Sequence, residues 1–243
     1  MSQSSALVES YFFADDDEID AQIAFLNRIQ NLNSLRLLEI GAGFGELAFK
    51  IQNEVEKIFI VESDLCKQVW LTRFLANSDF QNIEIIHNLS SNEFNAKQID
   101  FVYSFNTFSY LTDLELTKII NKIYASLAPG GYLVFNHLQP HVGRDLNPNT
   151  EVFYHKLKNV QIEQKIQVLN AEKDFIELSY ENSIIQNSDN FNINYIKRIF
   201  PRRLKDILQL EPIKKCTIAN SYKNLIFDKY TDEDSSFILI LQK

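Results

Sequence analysis

Cysteine is scarce in this chain. Cys66 and Cys216 are the only two, and they form no CxxC pair. That excludes a disulfide framework and a paired-cysteine metal site. No apolar run approaches the roughly 18 to 20 residues that a membrane-spanning helix needs, so no membrane partner is expected. The opening MSQSSALVESYFF has neither a basic start nor a long apolar stretch. No secretion signal is expected from it, and together with the sparse cysteine this points to a cytoplasmic protein. A surplus of positive charge is also missing: 24 Lys and Arg face 32 Asp and Glu, for a formal net charge of −8. Nucleic-acid binders usually carry a basic footprint, so no nucleic-acid partner is expected. The most basic stretch, KRIFPRRLK at 197–205, reads as the solvated face of one helix. The chain also lacks G-x-S-x-G, H-E-x-x-H and a P-loop.

What remains is a globular chain of 243 residues, 45% apolar, long enough to bury one good-sized core. Its elements alternate. DDDEIDAQIAFLNRIQ places Ile19, Ile23, Leu26 and Ile29 at helical spacing. LRLLEI, KIFIVES, NIEIIH, IDFVYSF and YLVFNHL read as five strands, separated by the helical GELAFKIQNEV, LCKQVWLTRFLANS and TDLELTKIINKIYASLAPGG. The last helix opens with a Thr112–Glu115 capping box and is expected to stop at APGG. Alternating strands and helices with near-continuous apolar strands imply a mostly parallel sheet covered on both faces, a doubly wound α/β fold.

After residue 140 the rhythm changes. The stretch 140–159 is polar and irregular, and QIEQKIQVLN and DFIELSYENSII bracket AEK as a β-hairpin. FPRRLKDILQL reads as a helix, and IKKCTIA and SSFILILQK as closing strands of the main sheet. The expected organisation is a helical cap over 1–34, a Rossmann-like core over 35–139, a lid over 140–195, and a closing helix and strands over 196–243.

The chemistry concentrates at EIGAGFGE. Glu39 is followed by glycines at alternate positions, Gly41, Gly43 and Gly45. Glycine turns there with positive φ and removes the Cβ that would block a ligand. A dinucleotide fingerprint would want a third glycine where Glu46 stands, and a carboxylate repels a pyrophosphate. Glu62 closes the second strand, 21 residues after Gly41, where an acid accepts hydrogen bonds from a ribose diol. The ligand expected is an adenosine without phosphates.

E-x-G-x-G-x-G after the first strand, the acid closing the second, and LAPGGYLVF leading into the fifth together resemble the class I S-adenosylmethionine-dependent methyltransferases. IDFVYSFNTFSYL, with Asp100, resembles their fourth-strand segment. The resemblance implies a seven-stranded, mostly parallel sheet, S-adenosylmethionine as cofactor and S-adenosylhomocysteine as product. It implies that Glu39, Gly41, Gly43 and Gly45 line the methionine and ribose end, that Glu62 holds the ribose hydroxyls, and that Ser104, Phe105 and Asn106 pass the methionine moiety. The usual adenine-side acid is replaced by Leu89, leaving Asn88 and Ser90 for that role. Tyr11 is the aromatic residue expected to fold over the sulfonium.

On the acceptor side the candidates are Asn106, Tyr110, His137 and His141, with His137 either a general base or an acceptor contact. No metal is expected, since Pro140 separates the two histidines. The N-P-P-Y-like turn of nucleic-acid amine methyltransferases is absent. The inserted hairpin resembles the lids of enzymes acting on sugar amines, glycine-like amines and natural products. The expected activity is methyl transfer to N or O of a small-molecule acceptor. Alternatives are a peptide terminus, protein or tRNA acceptor, a non-catalytic cofactor-binding subunit, and a dehydrogenase. A homodimer is left open.

Overall fold

The computed structural model describes residues 16–87, 98–140, 151–157, 160–172, 174–186 and 189–243. Helices are α1 Asp16–Ile29, α2 Glu46–Ile51, α3 Leu65–Ala76, α4 Asp113–Ser126, α5 Leu204–Ile207 and α6 Glu211–Lys214. Strands are β1 Arg36–Ile40, β2 Lys57–Val61, β3 Ile83–Ile85, β4 Ile99–Ser104, β5 Leu127–Leu138, β6 Glu151–Leu157, β7 Val160–Ala171, β8 Ile176–Gln186, β9 Asp189–Ile199, β10 Thr217–Tyr222 and β11 Ser236–Gln242.

Seven strands form one sheet in the order β10-β11-β5-β4-β1-β2-β3. β1 pairs in parallel with both β2 and β4, while β11 runs antiparallel between β5 and β10. Alternate residues of each strand feed opposite cores, as a sheet covered on both faces requires. Leu38, Val102 and Phe135 pack with Leu116, Ile120 and Ile123 of α4. Leu37, Phe101 and Val134 pack on the other face with Phe25 and Leu26 of α1 and Leu47 of α2. β11 buries Phe237 through Leu241. Each such side chain favours the folded state by roughly 1.5–3 kcal/mol over exposure, which is why so apolar a strand lies inside the main sheet.

α4 begins with the expected capping box: Thr112 accepts from the Glu115 backbone N–H, and Glu115 accepts from the Thr112 backbone N–H at 2.9 Å. Its end differs from expectation. The helix stops at Ser126, and APGG is already the irregular start of β5. Gly130 N–H donates to the Lys243 carbonyl and Lys243 N–H to the Gly131 carbonyl, so these residues are claimed by the last strand.

The inserted region is larger than one hairpin. β7 and β8 are the expected pair, with Ala171 opposite Ile176, but β6 and β9 flank them in a four-stranded antiparallel sheet. β6 arises from the stretch read as irregular, and β9 continues to Ile199, beyond the expected boundary at 195. Alternation explains β9: Ile193, Tyr195 and Ile199 turn inward while Asn192, Asn194 and Arg198 are exposed. The basic run 197–205 is therefore not one helix face. Lys197 and Arg198 end a strand, and helix resumes only over the four residues of α5. Pro201 disfavours helix at Phe200, whose N–H instead donates to the Ser109 carbonyl at 2.7 Å. Ile213 and Lys214, expected in a strand, close the short α6 instead, and β10 starts at Thr217.

Among the described residues no helix is long and apolar enough to cross a membrane. Thr112→Ala should lower the unfolding free energy by about 1 kcal/mol, the usual worth of an N-cap. Urea titration checks this; an unchanged midpoint would show that α4 does not depend on its cap.

Candidate active site

β1 lies where the strand order reverses, between β4 and β2, and ligands of such sheets bind beyond the strands' carboxyl ends at that point. The loop leaving β1 holds Gly41 at φ 76, Gly43 at φ 60 and Gly45 at φ 81. A Cβ on Gly41 would stand 2.0 Å from Thr107 Oγ1, and one on Gly45 would stand 2.7 Å from the Phe49 ring. Gly43 is different. No atom lies within 4 Å of where its Cβ would be, so its bare backbone faces open space.

That open backbone is anchored from β2. Glu62, 5% exposed, accepts the Gly43 N–H on Oε2 at 2.8 Å, and the Ser63 and Asp64 N–H groups on Oε1 at 2.6 and 2.8 Å. Its carboxylate is thus fixed in orientation before any ligand arrives. Asp64 then caps α3, accepting from Cys66 and Lys67 N–H.

Glu39 sits near the end of β1, opposite Tyr103 of β4, whose hydroxyl donates to Glu39 Oε2 at 3.2 Å. Burial pushes the Glu39 carboxyl up to about 8, assisted by the charges of Glu46 and Glu62, although the Tyr103 bond opposes the rise. The Tyr103 phenol is itself raised, first by burial and then by Glu39. The charges of Glu46 and Glu62 thus converge on the loop and on Glu39, which favours a cationic ligand and disfavours a pyrophosphate.

Three adjoining cavities of about 220, 370 and 450 Å³ share Phe105 and Asn106. The first is lined by Glu18 and Gln22 of α1 together with Glu39, Gly41 and Gly43. The third reaches from Glu62 and Ser63 to Tyr110 and Lys197. Asn106 adopts φ 55 and is held by a reciprocal pair: its N–H donates to Asn136 Oδ1 at 2.6 Å, and Asn136 Nδ2 donates to Asn106 Oδ1 at 2.7 Å. β4 and β5 are joined in this way at the mouth of the cleft.

The structure brings Glu39, Gly41, Gly43, Glu62, Phe105, Asn106 and Tyr110 to these cavities. Gly45 shapes the turn from behind. Ser104 is fully buried and donates to the Ile40 carbonyl at 3.0 Å, bracing β4 against β1 from within. Tyr11, Asn88, Ser90 and His141 lie outside the described residues. His137 is not brought to the cleft. It is 1% exposed, its Nδ1 meets Ser109 Oγ at 3.3 Å, and its Nε2 meets Arg202 Nη1 at 3.5 Å. Burial, then the Arg202 charge, push its pKa down to about 3, which makes it a poor proton acceptor. Sequence reasoning missed Tyr103, Asn136, Lys67 and the α1 residues Glu18 and Gln22. Asn136 stood beside His137 in NHLQPH, and Tyr103 in the fourth-strand segment, but neither residue type announces its role.

No curated protein matches the sequence significantly. Residues 38–133 match the family described as Methyltransferase domain. Among solved structures, the fold resembles an S-adenosylmethionine-dependent methyltransferase from Clostridium acetobutylicum (TM-score 0.73, 13% identity, 92% of this chain and 89% of that one). It also resembles CalS10, an amino pentose methyltransferase from Micromonospora echinaspora (0.72, 12%, 100% and 98%). A third is the sugar N-methyltransferase KedS8 from Streptoalloteichus (0.66, 14%, 95% and 88%). Residues 38–133 are thus similar to a methyltransferase domain, and the chain has the Rossmann-like fold of these methyltransferase structures. S-adenosylmethionine is the cofactor of that class.

The Glu39 shift has a testable consequence for stability. A carboxyl raised from 4.5 to about 8 favours the folded state fully below pH 4.5 and progressively less as pH rises to 8. Relative to Glu39→Gln, the wild-type unfolding free energy should therefore fall between pH 4.5 and 8 and then level off. Denaturant titrations across that range check it; parallel curves would mean that Glu39 ionises normally in the fold.

Proposed function

We infer that the chain binds S-adenosylmethionine in the cleft around Gly43 and transfers its methyl group to the nitrogen of a small-molecule amine. The observation that carries this reading is the Glu62 carboxylate, held by three backbone N–H groups at the edge of an open glycine turn. Glu62 also lines the cavity of about 450 Å³, which suits ribose hydroxyls. Glu39, Gly41 and Gly43 would hold the methionine end, with Glu18 and Glu46 adding negative charge around a cationic ligand. Phe105 and Asn106 would pass between the methionine end and the acceptor.

When bound, the cofactor supplies an activated methyl group on a sulfonium, and the protein's part is alignment and exclusion of water. The Asn106–Asn136 pair keeps the cleft mouth rigid. Tyr110 and the sheet β6–β9 would cover the acceptor and exclude water. We assign His137 no proton transfer. It is buried, and its imidazole stays neutral down to about pH 3. Among the described residues, those lining the three cavities include no histidine. A neutral amine already offers its lone pair and needs no base. The likeness to an amino pentose methyltransferase and a sugar N-methyltransferase agrees with an amine.

Calorimetric titration with S-adenosylhomocysteine and S-adenosylmethionine tests the reading. Both should bind the wild type. Glu62→Ala should weaken each by about tenfold or more, the worth of a hydrogen bond to a charged group. Absence of binding by the wild type would refute the assignment, and equal binding by the variant would remove Glu62 from it.

A further inference from the structure

The cavity of about 370 Å³ meets the other two at Phe105 and Asn106. None of its described lining residues belongs to the glycine turn. It forms where α1, the end of β5 and the connection from β10 to β11 come together, and its volume lies within the range of small-molecule sites, roughly 300–1,000 Å³. Ile238 of β11, 5% exposed, pairs in register with Asn136 of β5. Leu225 and Phe105 pack against the core cluster that contains Ile238. Ile226, 72% exposed, extends this apolar wall outward. Two charged residues stand in the described lining, and each has a side-chain partner: Lys223 lies 3.3 Å from Asp234, and Glu18 accepts from Gln22 Nε2 at 3.2 Å.

The connection that carries Leu225 and Ile226 is held in one shape. Asn224 Oδ1 accepts the Ile226 and Asp228 N–H groups, each at 3.2 Å, and Asn224 Nδ2 donates to Asp228 Oδ2 at 2.8 Å. Phe227 takes φ 66, a left-handed conformation that is costly for a bulky residue. Such a conformation persists only where the surroundings enforce it. Here α1 does so: the Phe227 ring stacks on Phe25 at 4.5 Å, and the Arg28 guanidinium lies 4.0 Å from its centre. An apolar wall fixed before a ligand arrives loses little freedom on binding.

We propose that this cavity receives an uncharged, apolar arm of the acceptor, and that Leu225 and Ile226 select it over the floor formed by Ile238. This rests on the methyl-transfer reading above. The arm lies along the apolar wall, and the acceptor nitrogen stops at Phe105 and Asn106, the residues common to all three cavities. The nitrogen there adjoins the cofactor cleft, and the rest of the acceptor extends toward Tyr110. Leu225 and Ile226 are specificity residues in this account and take no part in breaking or making a bond.

The test uses the full chain saturated with S-adenosylhomocysteine, whose affinity is measured first, and titrates it with propylamine, pentylamine and heptylamine at one pH. Burial of a methylene is worth about fourfold in affinity, so wild-type affinity should rise about tenfold or more with each added pair. Leu225→Gln and Ile226→Gln lie in a surface connection, where neither substitution empties the core. Each should cut that increment to about threefold or less and leave S-adenosylhomocysteine affinity the same within about twofold. Tyr110→Ala, which alters the cavity of about 450 Å³ instead, should keep the increment. If the wild type binds no amine or shows no increment, the proposal is overturned while the cofactor reading stands. The same holds if both connection variants keep the increment, or if it is lost in Tyr110→Ala. If the wild type fails to bind S-adenosylhomocysteine, both readings fall.

Discussion

The carboxylate of Glu62 is the constraint on which the site depends. It ties the turn after β1 to the end of β2 through Gly43, and it ties itself to its own strand exit through Ser63 and Asp64. The turn can take this shape only because its glycines adopt left-handed conformations and because Gly41 leaves room for Thr107. The same acid lines the cleft. Two strand ends and a helix start are thus locked together around one buried charge. Glu46 adds further negative charge nearby, and the same crowding of acids raises the Glu39 pKa, so the chemistry that suits the site is cationic and phosphate-free.

The second structural dependency is the junction between the inserted sheet and the core. Arg202 leaves the end of β9 and donates to Asp113 Oδ1 at 2.7 Å, to the Leu111 carbonyl at 2.7 Å and to the Phe200 carbonyl at 3.0 Å. Its backbone N–H donates to the Leu138 carbonyl. Leu138 N–H donates in turn to Ser109 Oγ at 2.9 Å, which also meets His137. The histidine that looked like chemistry in the sequence therefore belongs to this junction, behind the turn that presents Tyr110. Its neutrality follows from the same crowding. A charged imidazole there would be buried beside a guanidinium.

Much of the fold was legible because its signals are local. The five core strands, the helix between β4 and β5, its capping box and the glycine turn are each set by residues within one short stretch. The first errors came where local and distant demands conflict. APGG is a helix stop by propensity, yet its backbone is taken by Lys243, more than a hundred residues away in sequence. Strand β9 carries a clear alternation, but the basic residues at its end resemble a helix face, and FPRRLKDILQL is helical only from Leu204. In the site, Glu39, the glycines and Glu62 were legible because backbone geometry and charge dictate them. Tyr103 and Asn136 were not, because each acts through a partner that only the sheet register brings near.

The most direct measurement is a crystal structure of the full chain with S-adenosylhomocysteine. The account predicts the ribose hydroxyls within hydrogen-bonding distance of Glu62, the homocysteine ammonium in the acid-lined cavity by Glu39, and the sulfur facing Phe105 and Asn106. A ligand bound elsewhere, or a Glu62 carboxylate turned away from the ribose, would contradict it.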